Sequence, residues 1–333
     1  MIPGWRTSEH PYSSRDEWLE MRKADITASD AGALWGAHKY TTRRKLFLSK
    51  SFGENDEQSA VMRRGKIMEP AVAEAIVVDC GWKPERCSSY LRGRAADPLV
   101  RLGATRDYRL TVDADALLHH PKTRATALAA GWSDFTGREL RLTVECKSVD
   151  PAVWEKEWQQ GPPVYTVVQS AQQTLLEDAD GGLVAALLEN RTKDLILYAV
   201  RRDPDFEHSL VEQVRGFWRA YEAGEEPEVC GGDNEHMTDY YPTSDESLEV
   251  DLADDAAYWT ELVLERETLK AGQKTLQKRI DEIEAHIKDR MRDAARAILP
   301  GWSITWRTDS RGTRTFKVDR ARTQITKPKR TRR

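Results

Sequence analysis

Leu142-Thr143-Val144-Glu145-Cys146-Lys147 is the stretch on which the fold turns. β-Branched residues alternate through it and turn-forming residues flank it, which predicts a short β-strand. Side chains two apart on a strand share a face, so Glu145 and Lys147 point into the same volume. A carboxylate and an ammonium held side by side have two uses. They form an ordinary ion pair, or the carboxylate holds a divalent cation while the lysine orients a water beside it. The E-x-K spacing alone favours the first; what surrounds it shifts the balance.

A chain of 333 residues has room for one large or two modest domains. With 39% hydrophobic and 32% charged residues it reads as soluble and globular. There is no apolar run of eighteen residues and no signal-peptide pattern, and Met1-Ile2-Pro3-Gly4-Trp5-Arg6 does not resemble a targeting segment, so the expected compartment is the cytoplasm. Cys80, Cys87, Cys146 and Cys230 are scattered without a C-x-x-C pair, which argues against a zinc knuckle or a disulfide framework. The net charge of −4 conceals segregation: Ala220–Ala256 holds thirteen acids and no Lys or Arg, and Ser310–Arg333 holds ten Lys/Arg and one acid. Local patches, not the average, decide nucleic-acid binding.

Working outward from the strand, the upstream half offers further acids. A short helix over 16–22 precedes Ile26-Thr27-Ala28-Ser29, where Thr27 or Ser29 is placed to cap a helix ending at Gly36, with Arg22 just upstream. A helix over 63–76 carries Glu69 beside an apolar face of Met68, Val72, Ala75 and Ile76, with a kink or restart expected at Pro70. Residues 102–118 read as one bent or two separate strands bearing Asp107, Asp113 and Asp115. His119-His120 has no third ligand at suitable spacing and reads as loop. Downstream, 164–176 reads as a helix on which Tyr165, Gln169 and either Gln172 or Gln173 share a face. Strands are expected at 182–188 and 194–200, and a helix at 206–223. An acidic linker over 226–255 leads to a long amphipathic helix near 256–300. There Leu262, Leu269, Leu276 and Ile283 repeat at seven, with an interruption at Gly272-Gln273. A β-hairpin over 301–326 and a basic, disordered tail at 327–333 complete the chain.

In order, these features resemble the PD-(D/E)xK nuclease superfamily, and within it the YqaJ-type viral recombinases, the phage lambda exonuclease-like family. Five segments carry the resemblance: Arg22-x-x-x-Ile26-Thr27-Ala28-Ser29, Arg64-Gly65-x-x-x-Glu69-Pro70, Gly103-Ala104-Thr105-x-Asp107, Glu145-Cys146-Lys147-Ser148, and Tyr165-x-x-x-Gln169 with Gln172. They span about residues 15–225. Two departures stand out. Arg106 and Tyr108 flank the aspartate where the family has proline and glycine, and the long gap to Glu145 implies an inserted hairpin or loop around 119–138.

The resemblance implies an α/β restriction-endonuclease-like core over 1–225, a mixed central sheet flanked by helices, with the long helix and hairpin appended. It implies a Mg²⁺-dependent 5′→3′ double-strand DNA exonuclease that leaves 3′ single-stranded tails for a RecT/Beta-like strand-annealing protein. Two Mg²⁺ ions are expected, with Mn²⁺ as a substitute. Asp107, Glu145 and the Cys146 backbone carbonyl are the implied ligands, and Glu69 serves the second metal or its water. Lys147 is the implied water-positioning cation, Gln169 orients the site, and Arg22 and Ser29 take the 5′-phosphate. Gln172 is a further candidate, and Asp113, then Asp115, stands in should Asp107 not be the ligand. Partners are duplex DNA ends and further copies of the chain, in a ring, in the cytoplasm of a bacterial host. The alternatives are a superfamily endonuclease, a Cas4-like nuclease whose clustered cysteines this chain lacks, and a non-catalytic DNA-binding scaffold built on the long helix and basic tail.

Overall fold

The computed structural model describes residues 2–52, 59–188, 195–309 and 311–320; Asp194 and the basic tail at 327–333 lie outside the described residues. Two compact units make up the chain, Met1–Ser244 and Asp245–Arg333.

The first unit holds two sheets. Strands β1 (Arg6–Pro11), β2 (Ile26–Thr27), β3 (Glu85–Arg86), β4 (Ser89–Arg94), β5 (Arg101–Thr105), β6 (Tyr108–Asp113), β7 (Glu139–Val149), β8 (Gly181–Leu188) and β9 (Leu195–Arg201) form it. One sheet runs β1-β4-β5-β2 and the other β3-β6-β7-β8-β9. Around them lie helices α1 (Arg15–Lys23), α2 (Arg43–Phe52), α3 (Ala60–Cys80), α4 (Ala114–His119), α5 (Arg124–Ala129), α6 (Val164–Glu177) and α7 (Pro204–Ala223).

The opening stretch lies in β7, the middle strand of the five. It pairs antiparallel with β6 and parallel with β8. Leu140, Leu142, Val144 and Cys146 point to one side, into a core with Val72, Ile76, Leu110, Trp132 and Leu197. Thr143 and Glu145 are buried too, on the other face. A parallel β7–β8 pair needs a crossover, and α6 supplies it. Val168, Leu175 and Leu176 of α6 pack with Leu91 and Leu102 of the first sheet, while Thr174 meets Thr143 of β7 at 3.1 Å. Helix α6 is therefore the shared wall of both sheets.

Helix α3 starts at Ser59, whose Oγ accepts the Met62 N–H at 3.2 Å, and ends at Gly81 in the left-handed region (φ +73°). Of the kink or restart expected at Pro70, the restart does not occur: the helix is continuous through it. Burial of Val72, Ala73 and Ile76 holds the helix together across the missing hydrogen bond.

Other local differences follow from contacts distant in sequence. Residues 31–35 form a 3₁₀ turn closed by Gly36 at φ +64°, not an α-helix. The insertion at 119–138 is no hairpin or open loop: α5 and a 3₁₀ turn over 132–135 bring Trp132 fully into the core. Residues 226–244, expected to lie in a linker, pack on the first unit. Asp233 is buried and accepts from Cys230 N and Thr42 Oγ1, and Arg44 donates to the Pro227 carbonyl.

The second unit is a 36-residue helix, α8 (Ala256–Met291), followed by a three-stranded antiparallel sheet of β10 (Arg296–Leu299), β11 (Trp302–Thr308) and β12 (Arg314–Arg320). The helix is continuous through Gly272-Gln273 and ends at Met291, well before the expected stop at Pro300. Leu299 pairs with Trp302 across Pro300-Gly301, with Gly301 at φ +79°. That two-residue turn commits residues 296–299 to a strand.

Candidate active site

Glu145 is 4% exposed in its side chain, and every contact given to its carboxylate comes from a residue the fold brings to it. Oε1 accepts from Lys147 Nζ at 2.6 Å and from Gln169 Nε2 at 2.7 Å. Oε2 accepts from Gln173 Nε2 at 2.7 Å. Lys147 Nζ also donates to Gln169 Oε1 at 3.1 Å, closing a ring of three polar groups between β7 and α6. Burial works against the Lys147 charge. The field and hydrogen bond of Glu145, with help from Asp107, outweigh it and hold the ammonium above its ordinary pKa.

Asp107 occupies the turn between β5 and β6. Its Oδ2 accepts the Cys146 backbone N–H at 2.8 Å, and its own carbonyl accepts from Cys87 N at 3.0 Å. The departures that flank it have structural uses. Arg106 is buried and bonded to Glu177 at 2.7 Å and Glu9 at 3.0 Å, and Tyr108 lies in the core. Burial, then Glu145, then Glu69 push the Asp107 carboxyl well above its usual range. Glu69, half-buried on α3, is raised by burial and by Glu145. Three carboxylates from a turn, a strand and a helix thus face one another electrostatically.

Arg22 and Ser29 are brought together as expected, with Nη1 3.3 Å from Oγ. Sequence reasoning missed their partner Asp30. It accepts from Arg22 at 3.3 Å and from Thr27, and lies near Lys50. Burial would raise the Asp30 carboxyl, but Arg22 and then Lys50 hold it below the usual range. His38 was also missed; its ring is 5.1 Å from that of Tyr165. Burial lowers its pKa, Asp30 opposes that, and Lys147 adds to it, so both clusters act on the charge of the ring.

Three candidates lie away from Glu145. Gln172 is buried and donates to the Ile26 and Gly103 carbonyls at 2.8 and 2.9 Å, tying β2 to β5. The helical face shared with Gln169 selects Gln173 instead. Asp113 lies at the far end of β6, paired in register with Glu139; Asp115 accepts from Gly137 N. His119 bonds to the Asp115 carbonyl, as a non-ligand.

Among the described residues no three His, Cys, Asp or Glu side chains form a ready-made metal cage. Glu145 instead spends its oxygens on Lys147, Gln169 and Gln173. The donor chemistry nevertheless fits a hard divalent cation. The donors are carboxylate oxygens, and the mutual repulsion that raises Asp107 and Glu69 is relieved by positive charge.

The family model of the YqaJ-like viral recombinase domain matches residues 17–175. The matched region contains every residue of both clusters, from Arg22 to Gln173. The chain is 24% identical over 303 residues to the uncharacterized protein YqaJ of Bacillus subtilis (strain 168), covering 88% of this chain and 83% of that protein. Among solved structures, it resembles an alkaline exonuclease (LHK-Exo) from Laribacter hongkongensis, with 14% identity, 68% of this chain and 100% of that one covered, and a TM-score of 0.45. A phage-related exonuclease from Haemophilus somnus 129PT matches at 11% identity over 60% of this chain and 94% of that one, with a TM-score of 0.40.

Proposed function

We propose that the chain is a Mg²⁺-dependent 5′→3′ exonuclease on double-stranded DNA. It leaves 3′ tails for a RecT/Beta-like strand-annealing protein and acts as a homo-oligomer in the cytoplasm of a bacterial host. The observation that carries this reading is Glu145: a buried carboxylate fixed by Lys147, Gln169 and Gln173 within the field of Asp107 and Glu69. A scaffold that only binds DNA has no use for such a cluster, and a solvated ion pair would not be buried. The recombinase domain supports DNA as the substrate class. Free cysteines at four separate places in the fold, one of them buried in the core, do not suit the iron–sulfur centre of a Cas4-like enzyme.

Asp107, Glu145 and Glu69, with the Cys146 carbonyl, would hold two Mg²⁺, or Mn²⁺ in their place, which supply Lewis-acid stabilisation of phosphodiester charge and a more acidic water. Lys147 stays protonated, so it acts as a fixed cation and not as a base. It offsets charge on the scissile phosphate and orients the attacking water. Gln169 and Gln173 hold the Glu145 carboxylate in one orientation. Arg22 and Ser29 receive the terminal 5′-phosphate, and Asp30 holds Arg22 in place until it arrives.

Linear duplex DNA with 5′-phosphate or 5′-hydroxyl ends, incubated with Mg²⁺ or EDTA, tests this directly. Wild type should release mononucleotides only with Mg²⁺ and a free end, faster from the phosphorylated one. Lys147→Ala should lose at least about 100-fold in rate, the scale of one preorganised electrostatic group. Cutting of closed circles would make it an endonuclease, and retained DNA binding without cleavage in wild type would leave the scaffold.

A further inference from the structure

The cluster of Arg22, Ser29 and Asp30 and the cluster at Glu145 are carried by different segments. Contact between those segments is made in part by residues that neither cluster uses: Gly32 and His38 on one side, Tyr165 of α6 on the other. We infer that His38 is a positioning residue for the reaction: it ties the Ser29 backbone to the turn of α6 that precedes Gln169, and so sets which phosphodiester, counted from the DNA end, reaches Glu145. This role rests on the reading that Arg22 and Ser29 take the terminal 5′-phosphate.

The close approach begins at Gly32. A β-carbon there would lie 2.9 Å from Tyr165 Cβ and 3.1 Å from Tyr165 Cα, inside carbon–carbon contact and against backbone that cannot step aside. Ala31, Ala33 and Leu34 around it pack with Val168 of α6. Glycine thus lets the segment that follows Ser29 lie directly on α6. Gly36, in the left-handed region, then turns the chain so that His38 meets the same helix.

The His38 ring has three engagements. Nδ1 accepts the Tyr40 backbone N–H at 3.1 Å. The ring packs 5.1 Å, centre to centre, from that of Tyr165. It also hydrogen-bonds the Ser29 backbone carbonyl. A backbone N–H only donates, so Nδ1 is unprotonated, and Nε2 carries the proton that the Ser29 carbonyl receives. Tyr165 and Gln169 are four apart and share a helical face, and Gln169 bonds to both Lys147 and Glu145. The imidazole therefore joins the backbone of a phosphate-binding residue to the helix that orients the nuclease carboxylate.

The groups facing the ring preserve that tautomer. Burial is the largest influence and lowers the pKa. Asp30 on the same segment and the Ser29 carbonyl oppose it, Lys147 of β7 and Lys45 of α2 add to it, and the net lies below the ordinary histidine value. Neutral imidazole is then the form present at neutral pH, and the Tyr40 N–H keeps its acceptor.

Three substitutions separate a tie from the filling of space. Glutamine carries an amide N–H to the reach of Nε2 and replaces the bond to Ser29. Asparagine reaches only as far as Nδ1, and alanine has neither group. The full chain is given linear duplex DNA with a 5′-phosphate or 5′-hydroxyl end and Mg²⁺. Release of the first nucleotide is followed in a single turnover, together with the length of the products. Wild type should favour the phosphorylated end and release mononucleotides. His38→Ala and His38→Asn should bring that preference close to one, through a loss of about 10–100-fold on the phosphorylated end, the scale of a reacting group misplaced by about 1 Å. Both should add dinucleotides to the products, whereas His38→Gln should stay within a few-fold of wild type. The comparison of asparagine with glutamine holds even where the alanine variant fails to fold, since those two side chains differ by one methylene. A wild type indifferent to the 5′-phosphate would overturn the reading of Arg22 and Ser29, and the role of His38 with it. A wild type that prefers the phosphate while all three variants keep that preference, or while glutamine fares no better than asparagine, would overturn the role of His38 alone.

Discussion

At the scale of single residues, neighbouring glutamines on α6 serve different partners. Gln173 donates to Glu145 Oε2 and to the Thr105 carbonyl, whereas Gln172 donates to two carbonyls of β2 and β5. Gln173→Ala should lower the cleavage rate about 10–100-fold, as loss of a group orienting a metal-ligating carboxylate does, and should also lose some stability through the stranded Thr105 carbonyl. Gln172→Ala should lose about 1–3 kcal/mol of stability from the stranded carbonyls. Reversed phenotypes in activity assays and urea melts would return Gln172 to the site. The sequence narrows the choice to these two because positions three and four after Gln169 both lie near its face. Which one meets Glu145 depends on how α6 is rotated between two sheets. Asp30 allows a second test. Its folded pKa lies below the ordinary value because Arg22 and Lys50 outweigh burial. The stability it contributes is present above the unfolded carboxylate pKa of about 4 and is lost as pH falls through the folded value. Asp30→Asn should therefore be less stable than wild type near neutrality, with the gap closing as pH falls through that range in urea melts. A gap that holds constant would mean Asp30 has no linked charge.

At the scale of elements, β7 was legible because its alternation and its E-x-K ending are local properties. The cluster around it was legible through motifs on separate elements: Glu69 on α3, Asp107 in the β5–β6 turn, Gln169 on α6. Less legible were elements whose form is imposed from elsewhere. The apolar repeat of α8 continues in register through Ile287 and beyond, yet the Pro300-Gly301 turn recruits residues 296–299 into a strand. Helix α3 shows the converse, since Pro70 reads as a kink or a restart and the helix continues through it. Proline inside a helix costs up to about 3 kcal/mol relative to alanine. Pro70 is solvent-exposed, so alanine adds no clash. Pro70→Ala should thus raise the midpoint of thermal unfolding of the first unit. An unchanged or lower midpoint would show that the proline ring itself is needed for the path of α3 beside Glu69.

At the scale of the whole molecule, the boundary between units is where sequence and structure part furthest. The acid-rich stretch over 226–255, with no Lys or Arg, reads as one solvated linker. The first part of that stretch has partners nearly two hundred residues upstream, which no local pattern announces. Arg44 reaches the Pro227 carbonyl at 2.9 Å and the Glu226 carboxylate. Buried Asp233 caps its own turn and accepts from Thr42, and Tyr240 donates to the Lys45 carbonyl at 3.3 Å while packing on the core. All three anchors fall on α2 or the residue before it, so residues 226–244 act as a strap over that helix. The two end points, 225 and 244, can therefore be separated by truncation. A fragment of residues 1–244 keeps both polar clusters and the strap, and it should unfold in one cooperative transition and cleave linear duplex DNA at a rate close to that of the full chain. A fragment of residues 1–225 keeps the same clusters but exposes the outer side of α2 and leaves the partners of Asp233 and Tyr240 unmatched. Each kcal/mol lost should lower its melting temperature by about 2–4 °C at this size, and two lost buried contacts place the drop well outside calorimetric error. Equal melting temperatures for the two fragments would mean that the strap is a passive tether and that the first unit ends with α7.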